Sequence, residues 1–157
     1  MKVRLLIILI FLGIIEACQS SKKVASTSVL VNVPSQVFYL EKTPCYGTCP
    51  AFKVIIFDND SLVYEGFKYV AKEGISSKKI PQGTVNSLIE KFRTAHFFSF
   101  KNQYTAQISD FPTTYISFTD QGKTKKIMDY YQAPQSLKKL EEYISDLVKT
   151  EVETIEK

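Results

Sequence analysis

The chain has 157 residues, a formal net charge of +4 and three cysteines, and 45% of its residues are hydrophobic. This length suits one ordinary domain with a buried core. Basic residues occur in scattered pairs such as Lys78-Lys79 and Lys125-Lys126, whereas a nucleic-acid groove needs them clustered on one face. The charge pattern therefore indicates a solvated surface and no nucleic-acid partner.

The first eighteen residues have the pattern of an export signal. Two basic residues precede an apolar run from Leu5 to Ile15, and Ala17 and Cys18 follow it. A positive start, a short apolar stretch and a small residue before the cleavage site are typical of secretory signals. The run is also too short to span a bilayer as a helix. We expect residues 1–17 to be removed as a signal peptide.

The segment Ile15-Glu16-Ala17-Cys18 resembles the lipobox of bacterial lipoproteins. The resemblance implies that Cys18 carries the lipid, and its several acyl chains would suffice for stable membrane anchoring. Glu16 departs from the pattern, which usually has a small or uncharged residue there. The alternative is an incidental Cys18 and an ordinary signal peptidase that cuts nearby.

A lipidated Cys18 predicts a cell-envelope protein attached to a membrane. Gln19 gives no aspartate-type retention signal, so the outer membrane of a Gram-negative bacterium is the expected location. Residues 18–35 are rich in Ser, Lys and Val and show no helical periodicity, and we interpret them as the lipidated N-terminus and a flexible tether. A folded domain is predicted at residues 36–150, followed by a short tail at 151–157.

The first half of this domain is predicted to consist of strands. Val37–Lys42 and the β-branched run Ala51–Phe57 are two of them. The turn residues 58–60 connect the second strand to its hairpin partner Ser61–Gly66. A further extended piece is expected within Tyr69–Ile80.

A helix is predicted after these strands. Val85, Leu88, Ile89 and Phe92 fall on one helical face, and the helix would begin at Pro81 or Thr84. The cluster that follows it (Phe97, Phe98 and Phe100) is expected to fill the core.

A second hairpin and a second helix complete the prediction. The hairpin spans Thr113–Tyr130 with its turn at 120–122. Apolar residues at helical spacing after Pro134 indicate a terminal amphipathic helix. This order of elements predicts an α+β fold of two layers, an antiparallel sheet of about five or six strands with two helices packed on one face.

The segment Thr43-Pro44-Cys45-Tyr46-Gly47-Thr48-Cys49-Pro50 has the most chemical content. In an extended strand, two cysteines four apart would be about 13 Å apart, whereas a disulfide requires Cα atoms about 4.4–6.8 Å apart. The chain must therefore turn between Cys45 and Cys49, which Gly47 and the flanking prolines permit. An oxidising envelope favours a structural disulfide, and Tyr46, Gly47 and Thr48 then form a candidate binding loop.

The same Cys-x-x-x-Cys-Pro pattern resembles the copper-binding loop of Sco-type assembly proteins. Thiolates suit Cu(I), and the third ligand would have to be His96 or Met128. The Sco-type loops open a helix, however, and here Cys49 and Pro50 lead into a strand-like sequence. A periplasmic thiol-redox or copper-binding protein is therefore the alternative function, and the main interpretation includes no metal and no cofactor.

Several segments together resemble an uncharacterised bacterial domain family of unknown function with a TPCYGxCP motif. They are TPCYGTCPAFKVIIFDNDSLVYEG, AHFFSF, SDFPTTYISF and APQSLKKLEEYI. The resemblance spans about Phe38 to Ile144, and family members are often small exported proteins or lipoproteins. Asn59-Asp60 stands where an Asp-Gly turn is usual. The resemblance implies domain boundaries but no catalytic residues.

No enzyme constellation emerges from the sequence. A His-based triad would have to use His96, which lacks a nucleophile elbow and an acidic partner. The segment 58–61 resembles the start of a calcium loop, but Val63 and Tyr69 occupy the positions that require glycine and glutamate. Asp110 is interpreted as a turn cap, with a site carboxylate as the alternative.

We therefore expect a non-catalytic binding or interaction module of the cell envelope. Its partner would be an envelope protein, a peptide or a glycan, because tyrosines are well suited to recognition at low entropic cost. The alternative role for these tyrosines is packing at the sheet edges. They are Tyr46, Tyr64, Tyr69, Tyr104, Tyr115, Tyr130 and Tyr131.

Overall fold

The computed structural model describes residues 33–153. The predicted signal peptide, Cys18 and most of the tether lie outside the described residues, as does the end of the predicted tail. Among the helices of residues 33–153, none is long and apolar enough to cross a membrane.

The domain contains one seven-stranded sheet and two helices. The sheet order is β4-β3-β2-β1-β6-β7-β5, and all neighbours are antiparallel except β5 and β7. The strands are β1 (Gln36–Lys42), β2 (Ala51–Phe57), β3 (Ser61–Lys68), β4 (Gly74–Lys79), β5 (Gln103–Tyr104), β6 (Thr114–Asp120) and β7 (Lys123–Asp129).

Both predicted hairpins are confirmed, and the predicted strand count is too low. β2 pairs with β3 across the turn at 58–60, and β6 pairs with β7 across Gln121-Gly122. The strand expected within Tyr69–Ile80 is present as the shorter β4. The additional strand is β5, whose two residues have no alternating pattern and pair in parallel with Met128 and Asp129.

Two helices contribute to the core. Helix α1 (Thr84–Thr94) and helix α2 (Gln135–Val148) bury the apolar stripes that the sequence predicts. Phe92 of α1 lies with its ring centroid 4.7 Å from that of Phe38 and 5.1 Å from that of Phe118. Alternate residues of β1, β2, β3 and β6 belong to the same buried cluster as both helices.

The aromatic cluster after α1 is only partly buried. A 3₁₀ turn at Phe97–Ser99 follows the helix. Phe97 is buried, Phe100 packs against the core, and Phe98 remains exposed with its ring 5.6 Å from that of Phe118. The prediction that all three rings fill the core is therefore correct for Phe97 and wrong for Phe98.

Asp60 connects the first hairpin to helix α1. Its carboxylate accepts hydrogen bonds of 3.0 Å from the backbone N–H groups of Gly83 and Val85. Gly83 is the residue before α1 and has no side chain that could cap the helix. A carboxylate at a helix N-terminus satisfies unpaired N–H groups and interacts favourably with the helix dipole. The turn at 58–60 thus caps a helix more than twenty residues away.

Candidate functional site

The core-facing side of the sheet changes from apolar to polar at the C-terminal end of β1. Lys42 pairs in register with Phe52 of β2 and Thr114 of β6, and Thr114 pairs with Asp129 of β7. Directly paired residues point to the same face of a sheet, and Lys42 is two residues after the buried Leu40. The last row of the core side therefore contains Lys42, Thr114 and Asp129.

Helix α2 contributes two charged side chains, Lys138 and Glu141, and Lys138 contacts Asp129 of this row. Asp129 is 1% exposed and Glu141 is 4% exposed. The Lys138 ammonium forms an ion pair with Asp129 Oδ2 and lies 3.5 Å from Glu141 Oε2. Within residues 33–153, neither Asp129 Oδ1 nor Glu141 Oε1 has a hydrogen-bond donor. A buried oxygen without a donor is costly, so the ionised form of this carboxyl pair is poorly satisfied.

Protonation of Glu141 supplies the missing donor. Burial raises the pKa of Glu141 to about 8, and Asp129 raises it further by its charge and by accepting a hydrogen bond, whereas Lys138 and Lys42 act in the opposite direction. Glu141 is therefore mainly neutral at pH 7. The charged groups around it are Lys42 from β1, Asp129 from β7 and Lys138 from α2. When Glu141 is protonated, the net charge of these three groups is +1.

The predicted disulfide loop follows directly after Lys42. The sulfur atoms of Cys45 and Cys49 lie at disulfide distance, with 5.7 Å between the two Cα atoms, which confirms the predicted turn between them. The Gly47 N–H donates a 3.3 Å hydrogen bond to Cys45 Sγ. Tyr46 is 91% exposed, so the loop presents a tyrosine to solvent from a covalently closed turn.

A cleft connects the disulfide loop with the buried charges. Its volume is about 560 Å³, which is within the usual range for ligand sites. Lys42, Lys138 and Glu141 line it, together with Cys49 and Pro50 of the disulfide loop. The remaining lining residues are Phe111, Pro112, Thr114, Tyr130, Tyr131, Gln132 and Glu142.

Aromatic rings form one wall of the cleft. Phe111 lies 5.6 Å from Tyr131 and 6.5 Å from Tyr130 between ring centroids. The Tyr130 hydroxyl donates a hydrogen bond to the Ile108 carbonyl, which connects this wall to the loop before β6. Phe111 is 51% exposed, so its ring is available for contact with a ligand.

We expect the disulfide to stabilise the loop without being needed for the fold. Closing a five-residue loop contributes about 2 kcal/mol, so replacing both Cys45 and Cys49 by Ala should lower the free energy of unfolding by about that amount. Urea unfolding monitored by circular dichroism would measure this change in the free energy of unfolding.

A structural disulfide also predicts how the cysteines react. The oxidised protein should show no free thiol at Cys45 and Cys49, and the reduced wild-type protein should take up no stoichiometric Cu(I). Tight Cu(I) uptake that Cys45→Ala abolishes would instead support the copper-binding alternative.

The two candidate third ligands for copper differ in location. His96 is exposed and precedes Phe97, which contacts Phe118 near the opposite end of β6 from the disulfide loop. Met128 pairs with Tyr115 on the face of the sheet that points away from the core. In the part of the chain that the structure describes, no group of three or more His, Cys, Asp and Glu side chains could hold a metal ion.

The remaining sequence candidates lie at separate places. The segment 58–61 is a hairpin turn, as predicted. Asp110 has φ 74° and its carboxylate accepts a hydrogen bond from the Ser109 hydroxyl, in the exposed loop before the cleft residue Phe111. The tyrosines do not form one face: Tyr64 is in the core, whereas Tyr130 and Tyr131 line the cleft.

Sequence reasoning missed Lys42, Asp129, Lys138 and Glu141. A signal for three of them was present. Lys42 and Asp129 continue the buried alternation of Leu40 and Ile127, and Glu141 directly follows Leu140 within the apolar stripe of the second helix. Polar residues in core-facing register indicate a buried polar cluster.

One comparison with known proteins identifies a family. A family model described as a domain of unknown function, DUF6438, matches residues 36–148. No curated protein in the comparison matches the chain. The match covers most of the sequence and nearly all of the described domain, and the chain therefore belongs to the DUF6438 family of domains of unknown function.

Proposed function

We propose that the protein is a lipid-anchored cell-envelope protein and that its domain is a non-catalytic binding module. The observation that carries this proposal is the position of the disulfide loop and the cleft at one end of the sheet. A covalently closed loop with an exposed tyrosine is preorganised, which reduces the entropy cost of binding. The adjacent cleft combines an aromatic wall with a few polar groups, a composition typical of binding sites.

We further propose that the domain has two layers, the sheet and the two helices. Both helices share a buried cluster with alternate residues of the strands, which supports their packing on one face of the sheet. The cleft would then lie where α2 begins above the sheet. Because the buried oxygens of Asp129 and Glu141 are not accessible to solvent, a role for this carboxyl pair in catalysis has no support, and a structural role next to a binding site is favoured.

The binding role can be tested in cells by site-specific photo-crosslinking. A photoreactive phenylalanine analogue at Tyr46 should give discrete adducts, because this side chain is exposed beside the cleft. The matched control is the same analogue at Tyr143, an exposed tyrosine in the groove between the helices. Adducts at Tyr46 that are absent at Tyr143 are expected, and their mass would distinguish a protein or peptide from a glycan. Absence of adducts at Tyr46 would contradict the proposal.

The lipid anchor gives a separate prediction. Replacing Cys18 with Ser removes the only residue that the lipobox pattern could lipidate, so the protein should leave the membrane fraction and appear as unprocessed precursor in a detergent-free fraction. Cell fractionation and immunoblotting would measure this. Cys45 and Cys49 provide the control, since their replacement should leave membrane attachment unchanged. Unaltered attachment of the Cys18→Ser protein would show that the anchor lies elsewhere.

A further inference from the structure

We propose that the cleft binds the carboxylate of a peptide ligand, with the Lys42 ammonium as its principal partner and Lys138 as a second cation. This inference rests on the proposed binding function and specifies the ligand class of the same site. A peptide C-terminus whose last residue has an aromatic or apolar side chain fits best, because three aromatic rings line the same cleft.

Lys42 is a half-buried cation that interacts with the charges of Glu141 and Asp146 without forming a direct ion pair. Its Nζ forms no hydrogen bond or ion pair within residues 33–153 and lies 6.0 Å from the centroid of the Phe52 ring. Burial is the largest influence on Lys42 and lowers the pKa of its ammonium. A partly desolvated ammonium is unfavourable unless a partner compensates it. An incoming carboxylate would supply that partner and favour the charged form.

The neighbouring carboxyl groups do not oppose an anion. Asp129 is neutralised by its ion pair with Lys138, and burial raises the pKa of Glu141, which favours its neutral form. Glu142 also lines the cleft, but it is exposed and water screens its charge. The buried side of the cleft therefore carries a net positive charge that a ligand carboxylate complements.

The aromatic residues of the cleft favour a ligand whose C-terminal residue has an aromatic or aliphatic side chain. Phe111, Tyr130 and Tyr131 line the same cleft as Lys42 and Lys138. Their rings offer contact area for an aromatic or aliphatic side chain, and rings pack well in edge-to-face or offset arrangements. The volume of about 560 Å³ accommodates one terminal residue with its carboxylate rather than a folded domain.

The test compares N-acetylphenylalanine with its primary amide on the full chain in detergent micelles. The two probes differ only in the negative charge. NMR titration should show at least ten-fold tighter binding of the acid, with shifts at Tyr130 and Tyr131. Lys42→Met should abolish the preference, and Lys42→Arg should retain it. Lys139→Met is the control, because Lys139 is next to the second cation Lys138 on α2 but lines the groove between the helices.

Each contrary outcome is informative. Equal binding of acid and amide, an unaltered preference in Lys42→Met, or no binding of either probe would overturn the inference. Tighter binding of glucuronate than of N-acetylphenylalanine would overturn it in favour of an acidic glycan. Equal binding with shifts at the aromatic wall would leave the proposed binding function intact, whereas failure of that function would appear as absent adducts at Tyr46 in the crosslinking experiment.

Discussion

Replacing Gly66 with Ala should lower the free energy of unfolding by about 2–4 kcal/mol, the largest effect expected for a single methyl group in this domain. Gly66 lies in β3 beneath the segment that leads to β4. An added Cβ would lie 2.1 Å from the Lys72 carbonyl oxygen and 2.6 Å from the Tyr64 hydroxyl. Backbone must therefore move, and the 3.0 Å hydrogen bond from the Tyr64 hydroxyl to the Lys72 carbonyl would be disturbed.

Urea unfolding of Gly66→Ala and two companion variants would measure this effect. Gly47→Ala is the matched control, because an added Cβ would meet only Cys45 Sγ at an ordinary 3.8 Å, and the lower conformational entropy of its unfolded chain should offset any small cost. Tyr64→Phe isolates the hydroxyl contribution, at about 1 kcal/mol. Equal midpoints of urea unfolding for Gly66→Ala and Gly47→Ala would contradict the expectation that the Lys72 carbonyl excludes a side chain at Gly66.

The elements that sequence reasoning predicted correctly are defined by local patterns. Both hairpins combine alternating strands with turn residues, and both helices have apolar residues at helical spacing. The missed strand β5 has two residues, and only its pairing with β7 defines it. The Asp60 cap likewise depends on residues far apart in sequence, since the carboxylate and the helix that it caps are separated by the whole of β3 and β4.

The candidate site was predictable in part. The spacing of Cys45 and Cys49 and the glycine between them were sufficient to predict the disulfide loop. The cleft beside it is formed by separate segments of the chain, so its position required the strand register. Lys42, Asp129 and Glu141 each occupy a core-facing position, which a sequence can reveal, but the contacts of Lys138 with Asp129 and Glu141 join residues of β7 and α2 and depend on the tertiary structure. Local patterns therefore revealed the loop and left its charged neighbours unrecognised.

Replacing Glu141 with Gln should stabilise the domain increasingly as the pH rises. Glu141 has its pKa raised from the ordinary 4.5 to about 8 in the folded protein, chiefly by burial. Between these values the folded state retains a proton that the unfolded state has released. The free energy of unfolding of the wild type therefore decreases with rising pH through this group, by at most about 1.4 kcal/mol per pH unit. The glutamine amide of the variant does not titrate and keeps a donor for Asp129.

The measurement is the difference in unfolding free energy between Glu141→Gln and wild type at pH 5, 6, 7 and 8. We expect a difference near zero at pH 5 that grows to about 1–3 kcal/mol at pH 8 in favour of the variant. Titrations common to both proteins cancel in this difference. Glu142→Gln is the matched control, because this neighbouring side chain is exposed and its replacement should give a difference that is independent of pH. A flat difference for Glu141→Gln would show that Glu141 is ionised in the folded protein, and the cleft would then lack the net positive charge on which carboxylate binding depends.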